Sequence, residues 1–199
     1  MPKTPDEYAQ VEVKGNAYRF KGRFHVIEPN QAIRNQEGRL CGVTNPRDMT
    51  YVHSYGAEWV FFDGIGKGKI HATRCDNAKC ETKGSVYLPF RIFCPECLTR
   101  NTVIDVTDRV KKGATVYSFM VTERTGAFNT LKTPIQFVNV AFEGVSTILM
   151  SYLPVGKPEM GQKVVPIFRT KKPTTTITDL AFVPLGTSAD KLPEGFTFE

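Results

Sequence analysis

Four of the five cysteines in this 199-residue chain, Cys75, Cys80, Cys94 and Cys97, fall within twenty-three residues as two close pairs. Thiolates spaced in this way bind metal. Each pair sets two sulfurs on one ion from a single turn, and the thirteen residues between the pairs need only form a short hairpin to bring the second pair across. Zinc is the natural occupant, because it accepts four thiolates at tetrahedral corners and brings no redox chemistry of its own. Iron in a rubredoxin-like site uses the same ligand set. With all four positions filled by protein, no place is left for water or substrate, so the site reads as structural. A disulfide framework suits a small exported domain, but MPKTPDEYAQ has no basic start followed by an apolar run; no export signal is visible and a cytoplasmic location is expected.

The remaining reactive residues offer little chemistry. Cys41, in GRLCGVTNP, has no nearby His to act as its base and reads as a packed thiol. His25, His53 and His71 lack a partner at metal spacing and read as solvated. GIGKGK has glycines without the rest of a phosphate-binding loop, and neither paired carboxylates nor a nucleophile elbow is present. No catalytic residue is therefore expected.

Composition sets the class. The chain is 41% hydrophobic and 11% aromatic, enough for one ordinary core with a small module attached, and its longest apolar runs are interrupted by Gly, Glu or Pro before they could span a bilayer. The net charge of +6 suits an anionic partner, either a nucleic acid or the phosphates of a nucleotide-derived cofactor. Its cations are spread evenly along the chain, with no basic tail or arm; the densest run, Arg169, Lys171 and Lys172, reads as a solvated loop after a strand.

The elements that must position the cysteines can be read around them. Residues 1–50 read as an N-terminal extension with short alternating segments near Val11 to Val13 and Tyr18 to Ile27. In the second segment, Phe20, Gly22, Phe24 and Val26 share one face, while Arg19, Lys21, Arg23 and His25 share the other. Residues 51–101 then read as a helix and a metal ribbon. Trp59, Phe61 and Phe62 suit a short amphipathic helix ended by Gly64, Gly66 and Gly68, the strand KIHATR delivers Cys75, and SVYLPFRIF delivers Cys94 into the FCPEC turn. From Thr102 the pattern becomes repeated strands: TVIDVTD, ATVYSFMVTE, TPIQFVNVAFE, VSTILMSYL, KVVPIFR and TDLAFVPL. Apolar residues on both faces favour a small closed barrel of about five strands over residues 102–185, an OB-type barrel being the economical choice and a two-sheet sandwich the alternative. Residues 186–199 read as a tail. The whole is mainly β.

The order of these motifs over about residues 51–170 resembles a family. FFDGIGKGKIHATRC, SVYLPFRIFCPECLTR and GATVYSFMVTE through VVPIFR are similar to thiolase-associated proteins that join a rubredoxin-like zinc ribbon to an OB-fold, long classed as a domain of unknown function. The likeness includes the knuckle Leu-Pro-x-Arg-x-Phe-Cys-Pro-x-Cys, the Val-Tyr-Ser strand and a Pro ahead of the next strand. Many members have two prolines before the arginine where this chain has Leu88-Pro89-Phe90-Arg91, and a first knuckle with two intervening residues where this one has four. What the resemblance implies is a noncatalytic subunit of a heteromeric complex with a thiolase-fold partner, a thiolase or an aldolase, helping to bind coenzyme A as a thioester such as a β-ketoacyl-CoA from aromatic or steroid breakdown. The family positions that would line a coenzyme A site are Tyr117, Ser118, Pro134 and Phe137, with Lys132 toward phosphate. The competing expectation is single-stranded nucleic-acid binding by the ribbon and barrel, which needs the positive charge gathered on one face.

Overall fold

The computed structural model describes residues 9–14, 17–22, 25–26, 31–43, 47–48, 55–123 and 131–199, and the chain divides into two compact units, Met1–Tyr55 and Gly56–Glu199. The described residues of the first unit form two-stranded antiparallel pairings of β1 (Ala9–Lys14) with β2 (Ala17–Gly22), β3 (His25–Val26) with β6 (Arg47–Asp48), and β4 (Ala32–Arg34) with β5 (Leu40–Val43). The second alternating segment is thus divided between β2 and β3; the facing of its side chains and the position of His53 lie outside the described residues. The polar NQEGR stretch is itself a hairpin turn, with Asn35 Oδ1 accepting from the amides of Glu37 and Arg39 at 3.0 and 2.9 Å. Side-chain capping of this kind is why Asn favours turns.

The second unit begins with α1 (Trp59–Ile65), where the sequence places it. Phe61 and Ile65, one turn apart, are buried while Trp59 is left exposed, and the chain leaves the helix through Gly66 and then Gly68, whose φ of +73° suits a glycine. A three-stranded sheet follows in the order β8-β7-β9, built from β7 (His71–Arg74), β8 (Val86–Tyr87) and β9 (Thr102–Asp105). SVYLPFRIF contributes only the two residues of β8; the chain then turns through Leu88-Pro89 and meets the far side of the knuckle in a single bridge, Phe93 with Arg100. TVIDVTD pairs with β7 here, not with the later strands, because a strand pattern carries no label for its partner. Directly after it lies α2 (Thr107–Gly113), a helix not expected from the sequence. Its one buried side chain, Val110, gives too weak a stripe to be seen.

The last six strands form one antiparallel sheet: β10 (Ala114–Thr122), β11 (Ile135–Phe142), β12 (Leu149–Tyr152), β13 (Lys163–Arg169), β14 (Leu180–Pro184) and β15 (Phe196–Thr197). The path runs β12-β11-β10-β13-β14, with β15 added beside β13, so residues 186–199 supply a strand. Its two ends come together. Ser151 Oγ donates to the Leu180 carbonyl at 2.9 Å and Tyr152 OH to the Thr178 carbonyl at 2.8 Å, which gives the sheet a barrel-like closure. Pro166 stands inside β13, a position open to it because pairing with β10 ends at Val164 and leaves one edge free.

Both faces of these strands are covered, as their double-sided apolar content requires. Val164, Phe168, Leu180 and Phe182 join one cluster; Ile167, Ala181 and Val183, the alternate residues of β13 and β14, join another. The first cluster also takes Phe61, Ile65, Ile70, Ala72, Val86 and Leu88 from the helix and ribbon region. Each such Phe, Leu or Ile contributes about 1.5–3 kcal/mol by leaving water, so the ribbon and the sheet are stabilised as one body.

Candidate metal centre

β7 ends at Arg74, and the next residue is the first of the cysteines. Cys75 N–H donates to the Ser85 carbonyl at 3.1 Å, and the Cys75 carbonyl accepts from Gly84 N–H at 2.7 Å, so this cysteine is held as part of the β7–β8 hairpin. Asn77 makes the long first knuckle possible. Its Oδ1 accepts from Lys79 N–H at 3.0 Å and its carbonyl from Cys80 N–H at 3.1 Å, folding the four intervening residues into a turn that returns Cys80 toward Cys75. The second knuckle closes when Leu98 N–H donates to the Cys94 carbonyl at 3.0 Å and Cys94 N–H to the Thr99 carbonyl at 2.9 Å, with Leu98 in the left-handed region at φ +55°.

These turns bring all four Sγ atoms within 4.8 Å of one another. Cys75 and Cys97 lie 3.8 Å apart and Cys80 and Cys94 3.9 Å, with all four thiols free. A tetrahedral zinc–thiolate bond of about 2.3 Å implies sulfur–sulfur edges of about 3.8 Å. The donor set therefore fits a tetrahedral ion, and the four cysteines named from spacing form a single cluster. Cys75, Cys80 and Cys94 are buried and Cys97 is half-buried, and four thiolates complete the coordination of a tetrahedral ion.

The electrostatics around the sulfurs divide them. Burial pushes the Cys75 thiol up to about 12. The Cys94 thiol is held down at about 5, first by the backbone N–H of Cys97 against the cost of burial, then by the Tyr87 hydroxyl, whose oxygen stands 3.6 Å from its sulfur. Thr99, through its side chain first and then its backbone, keeps Cys97 below the usual thiol range. Thr82 Oγ1 lies 3.2 Å from Cys80 Sγ and 3.7 Å from Cys94 Sγ. Such outer donors steady the thiolates and are as much a part of a metal site as the ligands. Tyr87, Thr82, Asn77 and Thr99 have no motif of their own in the sequence; a polar residue close to each cysteine is the signal that marks them.

Cys41 is exposed, its Sγ 3.4 Å from the Arg39 carbonyl, which corrects the expectation of a packed thiol: the described residues of the β4–β5 hairpin bury no side chain. His71 is half-buried, its Nδ1 3.2 Å from the Val60 carbonyl of α1, and takes no part in the cluster.

The five positions that the resemblance assigns to coenzyme A lie in two places. Tyr117 is exposed at a bulge in β10, where Val116 and Ser118 pair with consecutive residues of β11 and Tyr117 is the extra residue; Ser118 Oγ accepts from Asn139 Nδ2 at 2.9 Å. Phe137 is half-buried against the cluster of Ile135 and Tyr152. Lys132 and Pro134 line a cleft of about 770 Å³ that also takes in Gln136, Arg169, Lys171, Lys172 and Phe196. Tyr117, Ser118 and Phe137 are not among its lining residues. No helix among the described residues is long and apolar enough to cross a membrane.

No protein-family model matches the chain, and no curated protein matches it. Among solved structures it is similar to a protein of unknown function from the DUF35 family of Sulfolobus solfataricus, with 21% identity, 67% of this chain and 87% of that chain covered, and a TM-score of 0.46. It is also similar to the Ltp2-ChsH2(DUF35) aldolase, with 20% identity, 68% and 98% covered, and a TM-score of 0.47. The descriptions of these two structures both carry the DUF35 family.

Proposed function

We propose that this chain is the noncatalytic, zinc-binding subunit of a heteromeric thiolase or thiolase-fold aldolase, with an OB-type barrel that helps to hold a CoA thioester such as a β-ketoacyl-CoA. The observation that carries the reading is the closed cluster of four cysteine sulfurs, set in a ribbon whose core is continuous with that of the barrel-like sheet. An ion held there has no free coordination position, so it stabilises a platform and activates nothing. Acyl transfer needs an activated cysteine beside a base; the one cysteine outside the cluster is exposed, and among the described residues its hydrogen-bond partner is a backbone carbonyl. The reacting groups then belong to the partner, and this chain supplies support and part of the coenzyme's path. Motif order over about residues 51–170 supports the choice of a thiolase-fold partner, and aromatic or steroid breakdown is the source of substrate that the same resemblance implies.

Co-expression with a neighbouring thiolase-fold reading frame and capture through a tag on this chain tests the reading. A stable complex with CoA-thioester cleaving activity is expected, together with loss of both complex and activity in Cys94→Ser/Cys97→Ser. A double variant that still captures a fully active partner overturns the structural role of the ion, and failure to capture any thiolase-fold chain overturns the partner.

A further inference from the structure

The cleft between the lead to β11 and the paired ends of β13 and β15 collects charge that the linear sequence leaves scattered. Lys132 enters from one side; Arg169, Lys171 and Lys172 enter from the end of β13 and the loop after it. Among the described residues, none of the three lysines forms an ion pair. Arg169 is built in more firmly. Its guanidinium stacks 4.7 Å from the centre of the Phe196 ring, and its Nε lies 3.6 Å from Asp179 Oδ1 without a hydrogen-bond partner of its own. Asp179 is completely buried and accepts from Thr174 N–H, Thr174 Oγ1 and Thr175 N–H at 3.0, 2.7 and 2.7 Å, so one carboxylate pins both the arginine and the loop that carries the lysines.

The backbone is shaped to the same end. Lys172 has φ +56°, a conformation unfavourable for a side chain with a Cβ, and Lys171 N–H donates to the Gly195 carbonyl at 3.2 Å. Gly195, at φ +85°, allows that approach; a Cβ there would stand 3.0 Å from the Lys171 carbonyl. Four cations share the cleft with one lining carboxylate, Glu194, and with Asp179 behind Arg169, so the cleft keeps a net positive charge whose self-repulsion a bound polyanion removes. The opposite walls are apolar or flat, from Leu131, Pro134, Tyr152 and Phe196, with Gln136 as a polar group between them.

We infer that this cleft is a binding site for an organic phosphate, the clustered phosphates meeting Lys132, Arg169, Lys171 and Lys172 and the heterocycle lying against the apolar wall. The chemistry is that of an adenosine diphosphate group, which a cell offers either as free nucleotide or as the end of coenzyme A; the second source rests on the function proposed above.

Isothermal titration of the full, zinc-loaded chain with coenzyme A, with ADP and with phosphate-free pantetheine tests this. Coenzyme A and ADP are expected to bind and pantetheine not to. Lys171→Glu/Lys172→Glu should lower affinity for both by about tenfold or more, while Lys111→Glu/Lys112→Glu, which makes the same charge change on α2, should leave it unchanged. Circular dichroism and a thermal melt show whether each variant is folded. ADP binding as tightly as coenzyme A identifies a free nucleotide as the source, and a clear preference for coenzyme A identifies the coenzyme; both support the site. Absence of heat with both ligands, affinity unchanged in the folded Lys171/Lys172 variant, or charge-dependent binding of a single-stranded oligonucleotide with none of coenzyme A or ADP overturns it. If the thiolase-fold partner is captured but neither ligand binds, the cleft assignment fails alone. If ligand binds through Lys171 and Lys172 but no such partner is captured, the complex fails alone.

Discussion

Asn77 Nδ2 donates to Thr99 Oγ1 at 3.2 Å, which ties the first cysteine knuckle to the second directly. Asn77 also forms the turn that returns Cys80, and Thr99 holds the Cys97 thiol down, so this one hydrogen bond joins the two residues that shape the site from opposite sides. Asn77→Ala should leave the fold standing and weaken metal affinity by about 10- to 100-fold, the usual effect of losing an outer-shell partner. Chelator competition against the parent chain measures it.

Acid should release the ion. The ligands must be thiolates, so protons and metal compete, and affinity falls as pH falls. In the metal-free cluster Cys75 is pushed up to about 12 by burial and Cys94 is held down at about 5, so protonation of the cluster as pH falls begins at Cys75. A chromogenic chelator should therefore strip the chain more readily at about pH 6 than at about pH 8, and equal release at both would contradict thiolate ligation.

Thr147 joins the ribbon to the sheet. Leu88 N–H donates to Thr147 Oγ1 and Thr147 Oγ1 donates to the Leu88 carbonyl, both at 2.8 Å, beside a Ser146 N–H bond to the Val86 carbonyl at 2.7 Å. Thr147→Val keeps the shape and strands the Leu88 amide and carbonyl in the core, at a cost of about 1–3 kcal/mol. Denaturant unfolding should show a lower midpoint with the slope unchanged.

Leu88 itself is fully buried in the cluster that ribbon and sheet share. Leu88→Ala should cost about 2–5 kcal/mol, and unfolding followed at the metal site and by far-ultraviolet circular dichroism should shift together. Separate transitions would mean that the two parts are stabilised independently.

The legible parts of this chain were those governed by short-range rules. The four cysteines could be named from spacing because metal geometry restricts where thiolates sit along a chain, and α1 was visible because Trp59, Phe61 and Phe62 precede three glycines. The later strands were visible as runs of β-branched and aromatic residues, and the barrel-like sheet contains all of those from Ala114 onward. Partner choice was not legible: nothing in TVIDVTD distinguishes pairing with β7 from pairing in the larger sheet. The helix of Thr107–Gly113 has one apolar anchor, and Phe196 enters the sheet from a stretch that reads as a tail. The cationic cleft escaped for the same reason, since Lys132 and Lys171 are distant in sequence and only the folded sheet brings their segments to one cavity.

Native-state alkylation of the purified chain, with elemental analysis of the same sample, tests the metal centre most directly. One equivalent of zinc and a single labelled thiol, the exposed Cys41, are expected, with Cys75, Cys80, Cys94 and Cys97 reacting only after chelation. A metal-free, folded chain in which all five cysteines are labelled would contradict the account at its base.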